Sequence, residues 1–354
     1  MTAETSNMVA AGSSDNGSDS ENIPTISLSP IDEFLRDPDQ IQALQHAAFE
    51  VGFFYLDNHG IDQKTIDGVL DQTKALFQLP VEKKLMMVDR AMSRGYLALG
   101  NETLDPAVQK DKGDTKEGFY IGKHIAETDP MYDVSKLRGP NQWPSDEHGI
   151  PDFQPTMERY YQTAMSVGHQ VVQMLAVALD VEPTYFDSHF ENPITTLRLN
   201  RYEPTKSDPD NGIFACGAHS DYGMITLLLT DDNPGLQILT KRGEWIDVPP
   251  QPNKFVINLG DMLERWTNGK CRSTKHRVLS NGSRARYSAP VFYDPSFDAL
   301  VECLDNCRDY DSGERNADGT KRVHQLEPIT VGAHLLQKYE QTHKEFSNND
   351  ASSN

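Results

Sequence analysis

The feature that most limits how this chain can fold lies after Pro193, where eight short strand-like runs follow one another in quick succession. They occupy 195–202, 213–219, 224–230, 236–239, 245–248, 254–259, 276–281 and 286–293, and Gly, Pro, Asn or Asp breaks the chain between them. Short strands with turn residues at this density predict two sheets folded face to face, a β-sandwich or jelly roll.

The chain ahead of Pro193 has a different period. Met157, Tyr160, Ala164, Val167, Val171, Leu175 and Leu179 recur every 3.6 residues and predict a long helix over 156–179. Ile66, Val69, Leu70 and Phe77 predict another over 63–77, stopped near Pro80. Ile41, Leu44, Ala48 and Val51 predict a third, ended by Gly52, after which Phe53-Phe54-Tyr55-Leu56 reads as a buried strand. An edge strand is expected at 23–28, with its Pro near the start. Residues 92–143 read as long loops with one short strand at 118–121, and a last helix is expected over 331–346. The expected fold class is α+β, mainly β: a double-stranded β-helix (jelly roll) core with a helical N-terminal region packed around it. The expected divisions are a disordered acidic tail at 1–22, a helical and loop region at 23–190, the jelly roll at 191–300, a C-terminal loop and helix at 301–347, and a disordered tail at 348–354.

Charge narrows the partners. Lys and Arg number 33 against 53 Asp and Glu, a formal charge of −20. Duplex nucleic acid and anionic lipid recruit proteins through a basic footprint, so neither is expected as a partner. Val171–Leu179 is the longest nearly unbroken apolar run, about half of what a bilayer span needs, so no membrane partner is expected. Four cysteines in 354 residues make no disulfide framework. Cys303 and Cys307 lack the further soft ligands that zinc would want and read as ordinary thiols. The first twenty residues lack Arg and an apolar core, so neither a secretory signal nor a transit peptide fits, and a cytoplasmic monomer is expected.

Residues i and i+2 of a strand share a face. Three polar pairs at that spacing interrupt the apolar runs of the jelly-roll half: Asn200/Tyr202, His219/Asp221 and Arg286/Ser288. His276 opens a further strand. His219, Asp221 and His276 make a 2-His-1-carboxylate set, the facial triad of non-haem Fe(II) oxygenases. H-x-D alone is a weak signal, and satisfied core polar groups are its plain alternative. His343 and Glu345 share the spacing but fall on the last helix, where i and i+2 diverge, and read as surface groups. Arg286 and Ser288 add weight: a buried guanidinium fork wants an anion, and a hydroxyl on the same face adds a donor, together a receptor for a small dicarboxylate. A structural salt bridge is the alternative for Arg286. Tyr202 and Asn200 face the same way from a third strand.

The chain resembles the isopenicillin-N-synthase-like family of 2-oxoglutarate- and Fe(II)-dependent dioxygenases over about residues 23–345. The marks, in order, are IPTISLS, AAFEVGFFYLDNHGI, RGY (94–96), KEGFYIG (116–122), GPNQWP (139–144), H-x-D, INLGDMLERWTNG (257–269), HRV and R-x-S. The middle loops are similar to the branch with thymine hydroxylase and related plant and fungal small-molecule oxygenases. The resemblance implies Fe(II) on His219, Asp221 and His276, and 2-oxoglutarate held by Arg286 and Ser288 with contacts from Tyr202 and Asn200. It implies O₂ as the other co-substrate, ascorbate as a supporting reductant, and decarboxylation of 2-oxoglutarate to succinate and CO₂ coupled to hydroxylation or desaturation of a small organic molecule. It also places Arg94, Tyr96, Phe119, Tyr120, Phe292 and the last helix around the substrate pocket. Cys216 reads as a small buried hydrophobe, His169 as a satisfied core histidine, and Glu117 has no specific reading. The competing readings are an Fe(II) oxidase of the same family that does not use 2-oxoglutarate, a Zn hydrolase, and a non-catalytic protein on this fold.

Overall fold

The computed structural model describes residues 23–89, 94–109, 112–311, 313 and 327–342; the expected tails at 1–22 and 348–354, like His343 and Glu345, lie outside them. In chain order the strands are β1 (Thr25–Ser27), β2 (Phe53–Asp57), β3 (Val88–Asp89), β4 (Arg94–Leu97), β5 (Lys116–Gly122), β6 (Thr196–Tyr202), β7 (Cys216–His219) and β8 (Ile225–Thr230). There follow β9 (Leu236–Leu239), β10 (Trp245–Asp247), β11 (Phe255–Leu259), β12 (His276–Val278), β13 (Arg286–Tyr293), β14 (Leu300–Val301) and β15 (Ile329–Thr330). Nine of them form one sheet in the order β1-β2-β11-β8-β13-β6-β5-β4-β3, and four form a second in the order β10-β9-β12-β7.

Alternation along the large sheet divides its side chains between two cores. Phe53, Tyr55, Tyr202 and Val256 join Cys216, Leu236, Ile238 and Val278 of the small sheet, which fills the jelly roll. The alternate residues Phe54, Leu56, Leu199, Leu227 and Ile257 face the other way and bury Met157, Tyr160, Val167 and Leu175 of the helix Phe153–Ala178. The sequence expectation of a jelly roll with helices packed around it is met. The N-terminal half also contributes β1–β5 to the large sheet. Part of the expected loop region is therefore strand: β4 is too short, and too rich in Gly, to show a period, and it is ordered by pairing with β5.

Sequence chemistry sets the helix ends. Asp37 and Asp62 accept from the backbone N–H of Gln40 and Thr65 at 3.0 and 2.9 Å, capping Pro38–His46 and Gln63–Phe77. The first of these continues as a wider turn over Ala47–Val51 that ends at Gly52 with φ +77°. A Cβ there would lie 2.4 Å from Thr274 Oγ1 and 2.6 Å from the Arg272 carbonyl, so only glycine fits the turn that feeds β2. No helix among the described residues is long and apolar enough to cross a membrane.

Candidate active site

Strand register assembles the site. Tyr202 pairs with Arg286, and Asn200 with Ser288, across β6 and β13, so the four polar residues singled out in the sequence form two adjacent rungs on the inner face. Lys116 and Gly118 of β5 extend those rungs. In the small sheet His219, at the end of β7, pairs directly with His276, at the start of β12. Asp221 lies just beyond the end of β7, in the turn before β8.

The three candidate metal ligands converge, their donor atoms lying within 4.8 Å of one another. Each imidazole Nε2 stands 3.7 Å from Asp221 Oδ1. The Nδ1 atoms face backbone carbonyls two residues upstream: Gly217 at 2.9 Å for His219 and Thr274 at 3.1 Å for His276. Donation there places the proton on Nδ1 and leaves both Nε2 lone pairs directed at the shared centre. Asp221 Oδ2 accepts from Thr226 Oγ1 at 2.5 Å and Asn258 Nδ2 at 2.6 Å, which fixes the carboxylate and leaves Oδ1 to the centre. Burial alone would raise the Asp221 pKa; the two imidazoles and these hydrogen bonds outweigh it and hold the group below its ordinary value. Burial, with His219 adding to it, pushes His276 down to about 4 despite Asp221, so its ring is neutral and able to ligate at neutral pH.

Arg286 and Ser288 are 5% and 0% exposed. Arg286 donates from Nε to the Asn233 carbonyl at 3.2 Å, and its guanidinium carbon lies 4.9 Å from the centre of the Tyr202 ring. One terminal nitrogen, Nη1, is buried with no hydrogen-bond partner. Ser288 Oγ has Tyr202 Oη and Asn200 Nδ2 each at 3.3 Å, and Asn200 Oδ1 is buried and unsatisfied. One cavity contains Arg286, Tyr202 and Asn200 together with His219, Asp221 and His276. An orphaned guanidinium nitrogen and an orphaned amide oxygen in a cavity that ends at an N,N,O donor set fit a small dicarboxylate bridging from the arginine to a divalent metal. Among the described residues no carboxylate forms a salt bridge with Arg286, the plain alternative for its burial.

An adjoining cavity shares His219, Asp221, Arg198 and Phe292 with the first and reaches Tyr120, Tyr222 and Tyr339. Tyr120, Phe292 and the last helix, through Leu335 and Tyr339, line this cavity beside two of the candidate metal ligands. Three other residues do not. Tyr96 donates to Glu117 at 2.6 Å, Phe119 packs edge-on against Phe153 in the helix-facing core, and Arg94 donates to the Leu137 carbonyl in a separate cavity. Their strands point them away because alternate residues take opposite faces. His169 is not a core histidine: it is half-exposed on the outer helix face and pairs with Asp187 at 3.0 Å. Cys216 is buried as expected, and burial pushes its thiol up to about 12 beside Lys116, whose ammonium donates to it at 3.0 Å. Glu117, without a reading in the sequence, anchors Lys84 and Arg201 at 2.6 and 2.8 Å.

Sequence reasoning missed Thr226 and Asn258, which position Asp221. The signal was present: both are polar residues inside apolar strands, the same mark that exposed Asn200. It also missed the buried cluster of Glu102, Arg198, Lys116 and Asp114, in which Arg198 Nη2 and Lys116 Nζ approach Glu102 at 2.6 and 2.8 Å and Lys116 reaches Asp114 at 2.5 Å. Those residues come from loop and strand positions whose meeting no local pattern encodes.

Fold and donor set define a class: jelly-roll oxygenases built around a single non-haem metal. Comparison with known proteins makes the family specific. Residues 23–146 match the model of the non-haem dioxygenase in morphine synthesis N-terminal domain, and residues 194–295 match that of the 2OG-Fe(II) oxygenase superfamily. The chain is 36% identical over 273 residues to the 2-oxoglutarate-Fe(II) type oxidoreductase hxnY of Emericella nidulans, covering 75% of this chain and 77% of that protein. It is 34% identical over 338 residues to a homoarginine-6-hydroxylase of Arabidopsis thaliana, covering 90% and 97%. A full-length Neurospora crassa protein crystallised with alpha-KG superposes with a TM-score of 0.73 at 30% identity, over 89% of this chain and 95% of that one. The chain belongs to the 2-oxoglutarate- and Fe(II)-dependent oxygenases, and is a dioxygenase that takes Fe(II) as its metal and 2-oxoglutarate as co-substrate.

Proposed function

We propose that His219, Asp221 and His276 hold the iron, that Arg286 and Ser288 take the distal carboxylate of 2-oxoglutarate with Tyr202 and Asn200 beside it, and that the substrate is a small polar organic molecule oxidised in the adjoining cavity. The observation that carries this reading is one cavity with an N,N,O donor set at one end and an unsatisfied buried arginine at the other. Iron at the triad would supply the dioxygen chemistry that converts 2-oxoglutarate to succinate and CO₂. The protein's own part is placement. The Nδ1 contacts to Gly217 and Thr274 aim the imidazoles, Thr226 and Asn258 hold the carboxylate, and the Tyr202 ring covers the arginine. Phe53 and Leu228 line the same cavity and exclude water from the reacting centre.

Two relatives frame the substrate. The Arabidopsis protein is named for homoarginine, and the Neurospora protein has also been crystallised with thymine. Both are small and polar, and the adjoining cavity, with Tyr120, Tyr222, Phe292 and Tyr339 around Arg198, suits a molecule of that size. The charge of −20 supports this class over nucleic acid. A cytoplasmic location and a monomeric state complete the proposal; the four buried, unpaired cysteines support the location. The test is anaerobic titration of the Fe(II) protein with 2-oxoglutarate, followed by O₂-dependent succinate release with homoarginine, thymine and a wider metabolite panel. A metal-to-ligand absorption band is expected, absent in His219→Ala. If no band forms and no panel member triggers succinate release, the residue assignment is wrong.

A further inference from the structure

A third, smaller cavity backs onto the adjoining one across the start of β6: Thr196 lines the adjoining cavity and its neighbour Thr195 lines the smaller one. Four cationic side chains surround it, Arg94 from β4 and Lys123, Lys136 and Arg138 from the segment between β5 and the long helix, and no carboxylate lines it among the described residues. In a chain of net charge −20 such a concentration of cations is unexpected.

The cavity is built rather than accidental. Arg94 is 6% exposed and donates to the Leu137 carbonyl at 3.1 Å. Its guanidinium passes over Gly122, where a Cβ would lie 2.2 Å from Nη2. Asn141 clamps Gly122 from both sides, accepting from its N–H at 2.9 Å and donating to its carbonyl at 2.8 Å. The segment that carries the other cations is pinned by Ile125 N to the Gly139 carbonyl and by paired bonds between Asp133 and Arg138, and Leu137 adopts φ +57° between two of them. Thr195 is 1% exposed, and its hydroxyl has no hydrogen-bond partner. Lys136 is engaged by Asp298 at 2.8 Å, whereas no carboxylate of the described residues pairs with Lys123 or Arg138. A buried hydroxyl left unsatisfied is costly, and the positive charges of Lys123 and Arg138, which no carboxylate of the described residues pairs, repel; a bound anion relieves both.

We infer that this cavity binds a small multivalent oxyanion, a phosphate or a polycarboxylate, gripped by Arg138 and Lys123 at the mouth with Arg94 and the Thr195 hydroxyl at its floor. The planar fork of arginine suits such oxygens. The site is distinct from that of the co-substrate: Arg286 pairs with Tyr202, at the far end of β6 and about 20 Å along the strand from Thr195. It does not depend on the assignment of the iron ligands. The test is calorimetric titration of the iron-free full-length protein with inorganic phosphate and, separately, with citrate. One saturable site is expected for at least one of them, weakened about tenfold in the double variant Lys123→Gln/Arg138→Gln. Thr195→Val should weaken it several-fold, and Arg286→Gln should leave it unchanged. Phosphate alone binding would identify a phosphate-bearing ligand, citrate alone a polycarboxylate. The inference is overturned if neither anion saturates a site, if the double variant binds as tightly as the parent, or if Arg286→Gln abolishes binding, since the anion would then occupy the co-substrate cavity.

Discussion

Arg286 shows how much a single buried cation can decide. It has spent Nε on a backbone carbonyl and a face on the Tyr202 ring, and retains an unsatisfied nitrogen. Charge-assisted hydrogen bonds are worth about 1.5–3 kcal/mol, so Arg286→Gln should raise the KM for 2-oxoglutarate by about 10- to 150-fold. Iron affinity should stay near that of the parent, because no metal-facing atom changes; iron lost in parallel with 2-oxoglutarate would show a collapsed barrel instead. Asp294 carries the opposite lesson. It accepts from the Met224 N–H at 2.8 Å, and burial pushes its carboxyl up to about 7, with the nearby Asp221 adding to the rise. An acid whose folded pKa lies above its unfolded value favours the folded state fully at pH below about 4, and that contribution is lost as pH climbs towards 7. In metal-free protein Asp294→Asn, which keeps the acceptor, should therefore be more stable than the parent at pH 8 by a few kcal/mol. The gain should shrink to nothing near pH 4. Denaturant melts at the two pH values measure it, and an equal effect at both would refute the charge argument.

At the scale of elements, the turn at Gly52 ties the helical half to the metal site. The Gly52 carbonyl accepts from Leu259 N, the Val51 carbonyl accepts from Thr274 Oγ1 at 2.7 Å, and the Thr274 carbonyl orients His276. Gly52→Ala forces a Cβ onto Thr274 in a left-handed backbone position. Destabilisation of about 1–3 kcal/mol is expected. Iron affinity should fall as well, whereas Gly60→Ala, at φ +74° with open space around it, should cost stability without touching iron. Equal iron binding in the two variants would separate the turn from the site. This coupling was invisible in the sequence, although its parts were not. Helix periods, the eight strand runs and the polar pairs at i, i+2 were legible because each is a local pattern imposed by one buried face. The triad could be assembled on paper because His219 and Asp221 share a strand end and His276 opens a strand. What escaped depended on pairing between distant segments: β4 held by β5, Glu102 drawn to Arg198, and Thr274 seated against Val51. The outward aim of Tyr96 and Phe119 escaped for the same reason, since strand phase in a Gly-rich segment is set by the partner strand rather than by its own composition.

At the scale of the molecule, a dianionic co-substrate must approach a body of formal charge −20 and reach a cavity in which, on the proposed assignment, Arg286 and the iron supply the positive charge, while Lys116 and Arg198 are engaged by Glu102 and Asp114. Inside the cavity these charges act at contact distance and are weakly screened, whereas the surface field acts across solvent and is not. The two contributions therefore separate with salt. Raising ionic strength from about 10 mM to about 150 mM shortens the Debye length from about 30 to about 8 Å. The repulsive shell is then masked while the grip of Arg286 persists. The KM for 2-oxoglutarate should fall several-fold over that range with kcat nearly constant, the reverse of the loss seen where attraction steers a ligand to its site. Steady-state succinate release in sodium chloride series, with an uncharged primary substrate so that only the co-substrate feels the field, measures the effect. A KM that rises with salt would mean that the mouth of the cavity is locally positive and that the cations around it, rather than the acidic surface, govern entry.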